Sequence, residues 1–188
     1  MALANGTVVA TPEGRRAIQQ LEVRDTVLAS GEPLGWKPWT VKYSDGAPPG
    51  PSRSGGRTMV RVRWDDGEII VTPDHVFVRS DLRLVQAQML TPRSQLLGAD
   101  GVPVTVATVE LGSFNVGVHG IGTNAPWPTA AFAGHLLSTQ GVVTGDAFVE
   151  RNFGRDLPGA LTGLPVIGSA QYDALHVSAL APRAPSER

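Results

Sequence analysis

The sequence predicts an all-β fold, and three observations predict it. Residues of high strand propensity come in short runs of about four to eight. Turn signals separate these runs at close, even intervals. The 22 glycines and 15 prolines among 188 residues leave little room for long helices.

The elements follow in chain order. Thr7 to Thr11 reads as a strand, ended by the turn Pro12-Glu13-Gly14. Ala17 to Leu21 leads into a second strand at Asp25 to Ala29, and Trp39 to Tyr43 alternates as a third. From Ser44 the composition turns to Gly, Pro and Ser, so Asp45 to Gly56 is expected to be a mobile surface loop. Thr58 to Trp64 alternates most cleanly, with Val60, Val62 and Trp64 on one face and Met59, Arg61 and Arg63 on the other. Asp65-Asp66-Gly67 is a hairpin turn by composition, and Glu68 to Thr72 is the returning strand. Val76 to Val78 follows, then one short helical turn within Val85 to Leu90. Further strands are expected at Leu96-Leu97, Val102 to Val109, Val116 to Ile121 and Gly141 to Thr144. After about Arg151 the composition changes, and partial order to Leu180 with disorder in the last eight residues is expected.

Composition excludes several function classes. Sixteen basic and 17 acidic residues give a net charge of −1, so no cationic surplus exists to neutralise phosphates, and nucleic acid is not expected as a partner. No apolar run approaches the roughly 20 residues of a membrane span. The absence of cysteine removes disulfides, zinc–thiolate sites and thiol nucleophiles from the chain. Asp65-Asp66 reads as a turn and not as a metal site, and no metal or cofactor is expected.

The chemistry-bearing residues lie in three stretches. The first is Ala2-Leu3-Ala4-Asn5-Gly6-Thr7, followed by a strand, Gly14, Ile18, Leu21 and Asp25-Thr26-Val27-Leu28-Ala29. The second is Thr72-Pro73-Asp74-His75, at the end of a strand. The third is His135-Leu136-Leu137-Ser138-Thr139-Gln140-Gly141-Val142-Val143-Thr144-Gly145-Asp146. Together they resemble the motifs of the Hedgehog/intein (Hint) superfamily, over residues 2 to about 146. The resemblance implies a compact, mostly antiparallel fold of pseudo-twofold character with its two ends close together. Residues 2–146 would be the autoprocessing domain and 147–188 a C-terminal extension.

It also implies a mechanism. A thiol or hydroxyl at position 2 attacks the carbonyl of the preceding residue, and the amide becomes a thioester or ester. An amide is a poor electrophile, so the site must stabilise an oxyanion and protonate the departing nitrogen. His75 would be the proton donor, with an unperturbed pKa near working pH, and Thr72 would orient the scissile peptide. Ala2, Thr72 and His75 are expected to meet in one pocket. Ala2 has no lone pair to offer. It is either an engineered replacement, favoured by its place after Met1 and the absence of cysteine, or a natural alanine.

The third stretch departs from the intein pattern at its end. Gly145 replaces the penultimate His, Asp146 replaces the terminal Asn, and Ala147 supplies no nucleophile; Gly120 stands where inteins often carry an Asp. An ionised Asp cyclises poorly, so splicing is not expected. Cleavage of the upstream segment of its own precursor remains, with water or a small or protein nucleophile as acceptor and the chain acting as a monomer. His135 is either structural or catalytic, and Asp146 is a vestige, a turn residue or a weak general base. His119 and His176 read as structural or incidental. Trp36, Trp39, Trp64 and Trp127 read as packing residues. A reading from another class stays open: a Hint-fold module that no longer cleaves and serves in binding or structure. The sequence carries no address for a cellular compartment.

Overall fold

The computed structural model describes residues 2–49, 56–127, 130–155 and 157–180. The first strands are β1 (Leu3–Ala4), β2 (Val8–Thr11), β3 (Gly14–Ala17), β4 (Thr26–Ser30) and β5 (Lys37–Ala47). Next come β6 (Arg57–Trp64), β7 (Gly67–Val71), β8 (Val76–Val78), β9 (Leu84–Gln86) and β10 (Gln95–Leu97). The series ends with β11 (Pro103–Thr105), β12 (Thr108–Phe114), β13 (Val118–Thr123), β14 (Leu136–Thr139) and β15 (Val142–Gly145). Two helices follow, α1 (Ala147–Asn152) and α2 (Ala170–Leu180). The architecture is mostly β, as the alternation and turn spacing predict.

The main sheet runs in the order β12-β6-β7-β1-β13-β5-β4-β14-β15-β8-β9, with β2 and β3 branching from β14. Its ladders are antiparallel. The β6–β7 hairpin pairs Trp64 with Gly67, so Asp65-Asp66 is a two-residue turn. An added Cβ at Gly67 would lie 2.6 Å from the Trp64 indole nitrogen, so the indole needs a glycine there.

Strand β5 joins the two halves of the sheet. Its first residues pair with β4, Lys37 opposite Ala29 through Thr40 opposite Thr26. Its remainder pairs with β13, from Val41 opposite Thr123 to Ala47 opposite Val118. The register slips between Gly122 and Thr123, and β5 absorbs one extra residue, Lys42, where it changes partners.

The expected loop from Asp45 is corrected here. Asp45, Gly46 and Ala47 are the end of β5, opposite Gly120, His119 and Val118. The glycine that suggested a loop is required by the strand: a Cβ on Gly46 would lie 2.3 Å from His119 Nδ1. Residues 50–55 of that segment lie outside the described residues, as do the last eight. Val102 to Val109 is likewise two strands. The chain breaks at Val106, whose amide bonds Ser94 and whose carbonyl accepts from Arg93. The predicted turn within Val85 to Leu90 is a 3-10 turn at Ala87–Met89, preceded by strand β9.

Alternation places the core. Val60, Val62 and Trp64 join Val9, Ile18, Leu21, Val27, Val71 and Phe77 in the main cluster. Strand β8 is buried on both faces: Phe77 enters that cluster, while Val76 and Val78 join Leu84, Leu136, Val143 and Val149 in a second.

The segment after Asp146 packs on this same body. Leu161 lies in the main core and Val149 in the second cluster. Leu84 donates to Gly159 O (2.9 Å) and accepts from Leu161 N (2.8 Å), and Ile167 N bonds Gln88 O (2.8 Å). The Tyr172 hydroxyl donates to Leu90 O at 2.6 Å, and burial pushes that phenol up to about 12.

Candidate active site

Ala2 directly precedes the short strand β1, which is held between β7 and β13. The Ala2 amide donates to Thr72 Oγ1 at 2.9 Å, and the Thr72 amide returns a bond to Ala2 O at 2.9 Å. The Ala2 methyl is buried with Met59 and Val118. A nucleophile at this position would therefore have its backbone nitrogen held by Thr72 and its side chain in apolar surroundings.

The Thr-x-x-His spacing has a local cause. Thr72-Pro73-Asp74-His75 is a four-residue turn closed by the His75 amide on Thr72 O (3.0 Å). Proline at its second position presets φ for such a turn. Two further bonds pin it to the following segment, Ala87 N on His75 O (2.8 Å) and Gln88 N on Pro73 O (2.9 Å). Backbone bonds therefore link Ala2 to Thr72 and Thr72 to His75, while the His75 side chain lies against Phe77 and Glu150.

Asp74, inside the same turn, was not singled out by its sequence. Burial pushes its carboxyl up, but hydrogen bonding, first from the Thr72 hydroxyl, brings it below its usual range. The Thr72 hydroxyl accepts from the Ala2 amide. That orients its lone pair on the peptide nitrogen.

His75 is fully enclosed, with its ring edge-on to Phe77 at 5.4 Å between centroids. Its Nδ1 is in direct contact with Glu150 Oε1, and the two side chains are 1% and 3% exposed. Beyond that contact, neither these two atoms nor His75 Nε2 has a hydrogen-bond partner among the described residues. Glu150 lies on α1, beyond the motifs, and nothing in the sequence marks it.

His135 and Asp146 form a second buried pair. Asp146 Oδ2 accepts from His135 Nδ1 (2.8 Å) and Thr123 N (3.0 Å), while Oδ1 accepts from Phe148 N (2.9 Å) and Val149 N (3.2 Å). His135 Nε2 meets Pro126 O at 3.2 Å. Both ring nitrogens face groups that only accept, so the ring carries two protons and is an imidazolium. Burial opposes that charge, yet the hydrogen bond and charge of Asp146 prevail and hold His135 above the ordinary histidine range. Of the roles open to Asp146, the structure gives it a structural one: N-cap of α1 and counter-ion of His135.

Helix α1 also accounts for the missing penultimate His. A Cβ on Gly145 would lie 2.6 Å from Val149 Cγ1, and one on Gly122 would lie 2.9 Å from the Phe148 ring. The helix fills the space a side chain at 145 would need. His119 is occupied elsewhere: its Nε2 meets Ser44 Oγ at 2.8 Å, and that hydroxyl donates to Leu21 O. Burial holds His119 below its usual range. The His176 ring packs on Tyr172 at 4.6 Å between centroids, tilted by 56°. Among the tryptophans, Trp36 donates to Ala99 O, Trp64 is in the core, and Trp127 meets the His135 ring edge-on. Among the described residues, no cluster of three or more His, Asp or Glu could hold a metal, and no helix is long and apolar enough to cross a membrane.

Comparison with protein-family models and with curated proteins gives no match. Comparison with solved structures does. An intein-like domain from Clostridium thermocellum superposes with a TM-score of 0.65 at 21% identity, covering 77% of this chain and 98% of that one. A DnaB intein from Synechocystis superposes at 0.61 with 12% identity, covering 78% and 98%. The MchDnaB-1 intein does so at 0.56 with 23% identity, covering 77% and 99%. With its short strand β1 held at Thr72 and its closing hairpin β14–β15 at His135, the chain carries the Hint fold of inteins and intein-like domains over most of its length.

Proposed function

We propose that this protein is a self-processing domain whose reaction centre is the peptide bond before residue 2, and that it cleaves without splicing. The observation that carries the reading is the grip of Thr72 Oγ1 on the Ala2 amide, with His75 on the same turn. In the reaction, a thiol or hydroxyl at position 2 adds to the carbonyl carbon of the preceding residue. The carbon–nitrogen bond breaks, a thioester or ester forms, and the proton lost by the nucleophile ends on the departing nitrogen. His75 delivers that proton. Water or another nucleophile then attacks the ester and releases the upstream segment. Ala2 blocks the first step, because a methyl group cannot attack.

The C-terminal half supports the absence of splicing. Four N–H donors converge on Asp146 and hold its side chain away from its own backbone, and α1 continues the chain where a splicing domain would be cut. No cofactor takes part in this reading; the partner is the precursor itself. The buried Ala2 methyl supports a second reading, a cleavage-inactive structural module.

The test is a fusion of a small soluble protein upstream of residue 2, in the present form and with Ala2→Cys. Intact mass is followed over time with and without dithiothreitol. The expected result is release from the Cys form alone, stopped by His75→Ala. Release from neither form overturns the cleavage reading in favour of the structural module.

A further inference from the structure

Helix α1 lies outside the stretch that resembles the superfamily, yet the helix and its N-cap together supply a carboxylate to each of the two buried histidines. Asp146, its N-cap, holds His135, and Glu150, one turn later, holds His75. The two pairings differ in one respect. The His135 ring has both nitrogens satisfied, whereas His75 has Glu150 on Nδ1 and nothing among the described residues on Nε2.

A buried, unpartnered ring nitrogen gives up its solvation with nothing in return. It is tolerated in native structures chiefly where it serves a function. Glu150 is itself buried, and its Oε1 has no other partner. A carboxylate only accepts when ionised, so the contact requires a proton on Nδ1. A neutral imidazole protonated at Nδ1 carries its free lone pair on Nε2.

We infer that Glu150 is a positioning residue for His75: it fixes the proton on Nδ1 and leaves Nε2 as the nitrogen that takes the proton from the nucleophile and returns it to the departing amine. The inference rests on the cleavage reading above. It extends the working centre into the segment after Asp146, so that docking of α1 sets the state of the histidine at the other end of the domain. The helix is held there by Val149 against Gly145 and by Phe148 against Gly122.

Two measurements test it. The first needs no cleavage: nitrogen-15 NMR of the imidazole rings in the chain as it stands, assigned with His75→Gln. His75 is expected to be protonated at Nδ1 at neutral pH, and Glu150→Ala is expected to abolish that preference. A ring protonated at Nε2 alone, or one unmoved by Glu150→Ala, overturns the inference. The second uses the Ala2→Cys fusion. Glu150→Gln is expected to slow release about 10- to 100-fold, the scale seen when a histidine loses its orienting partner, and Glu150→Asp is expected to restore part of the rate. Release that is unchanged or faster in Glu150→Gln overturns the inference, the faster case showing that Glu150 restrains His75. A fusion that never cleaves refutes the cleavage reading instead, and the NMR result then judges the Glu150–His75 pairing by itself.

Discussion

Replacing Asp146 by alanine tests the C-terminal half of the site through stability. Its carboxylate accepts four N–H groups, all at 3.2 Å or less. The alanine variant loses the cap of α1, which costs about 1 kcal/mol. It also leaves a fully buried imidazolium without its counter-ion, and breaking such a pair costs about 3–5 kcal/mol. The expected loss is therefore about 4 kcal/mol or more at acidic to neutral pH, a large part of the roughly 5–15 kcal/mol that stabilises a domain. His135 is held above its ordinary value, so its pairing stabilises fully below the unfolded value of about 6.5 and fades as pH rises through the raised folded value. The penalty of Asp146→Ala should therefore shrink toward the cap contribution at alkaline pH. Urea denaturation of both proteins, at about pH 6 and about pH 9, reads both numbers. A penalty near 1 kcal/mol at both pH values would refute the buried imidazolium–carboxylate pair.

Three further outcomes are expected. In the Ala2→Cys fusion, Thr72→Val should slow release about 2- to 10-fold, because it removes the hydroxyl that accepts from the residue 2 amide and such a bond contributes about 0.5–1.5 kcal/mol; Thr72→Ser should keep most of the rate, and equal rates for Val and Ser would deny the hydroxyl a role. Gly145→His, which restores the intein residue, should lower stability by about 1–3 kcal/mol through the clash with Val149, as measured by thermal unfolding; a neutral or stabilising effect would show that α1 gives way freely. Gly46→Ala should speed amide hydrogen exchange along β5 and β13, since the added methyl meets both His119 and Val118 O; unchanged protection would contradict the close approach.

Much of the site could be read from the sequence because its parts are local. Thr72 and His75 belong to one turn whose proline and spacing fix its geometry, and the Val-rich alternation of β6 fixes which face is buried. The segment at Asp45 misled because composition speaks of conformational freedom and not of partners: Gly46 is the small residue His119 requires, and its Gly-Pro setting reads the same as a loop. The helices were missed for a related reason. Helix α1 spans only Ala147–Asn152, too short for a periodic signal, and it persists because Asp146 caps it and Val149 finds a buried cluster.

The sequence by itself determined the β architecture, the turn that carries His75, and the absence of a nucleophile at position 2. Each follows from a property that near neighbours in the chain express together: alternation, turn chemistry, the identity of one side chain. Only the tertiary structure decided which carboxylate faces which histidine. Glu150 is 75 positions from His75, and Asp146 is 11 from His135. No local preference links such residues; they pair because packing buries each ring and brings a carboxylate from a distant part of the chain against it.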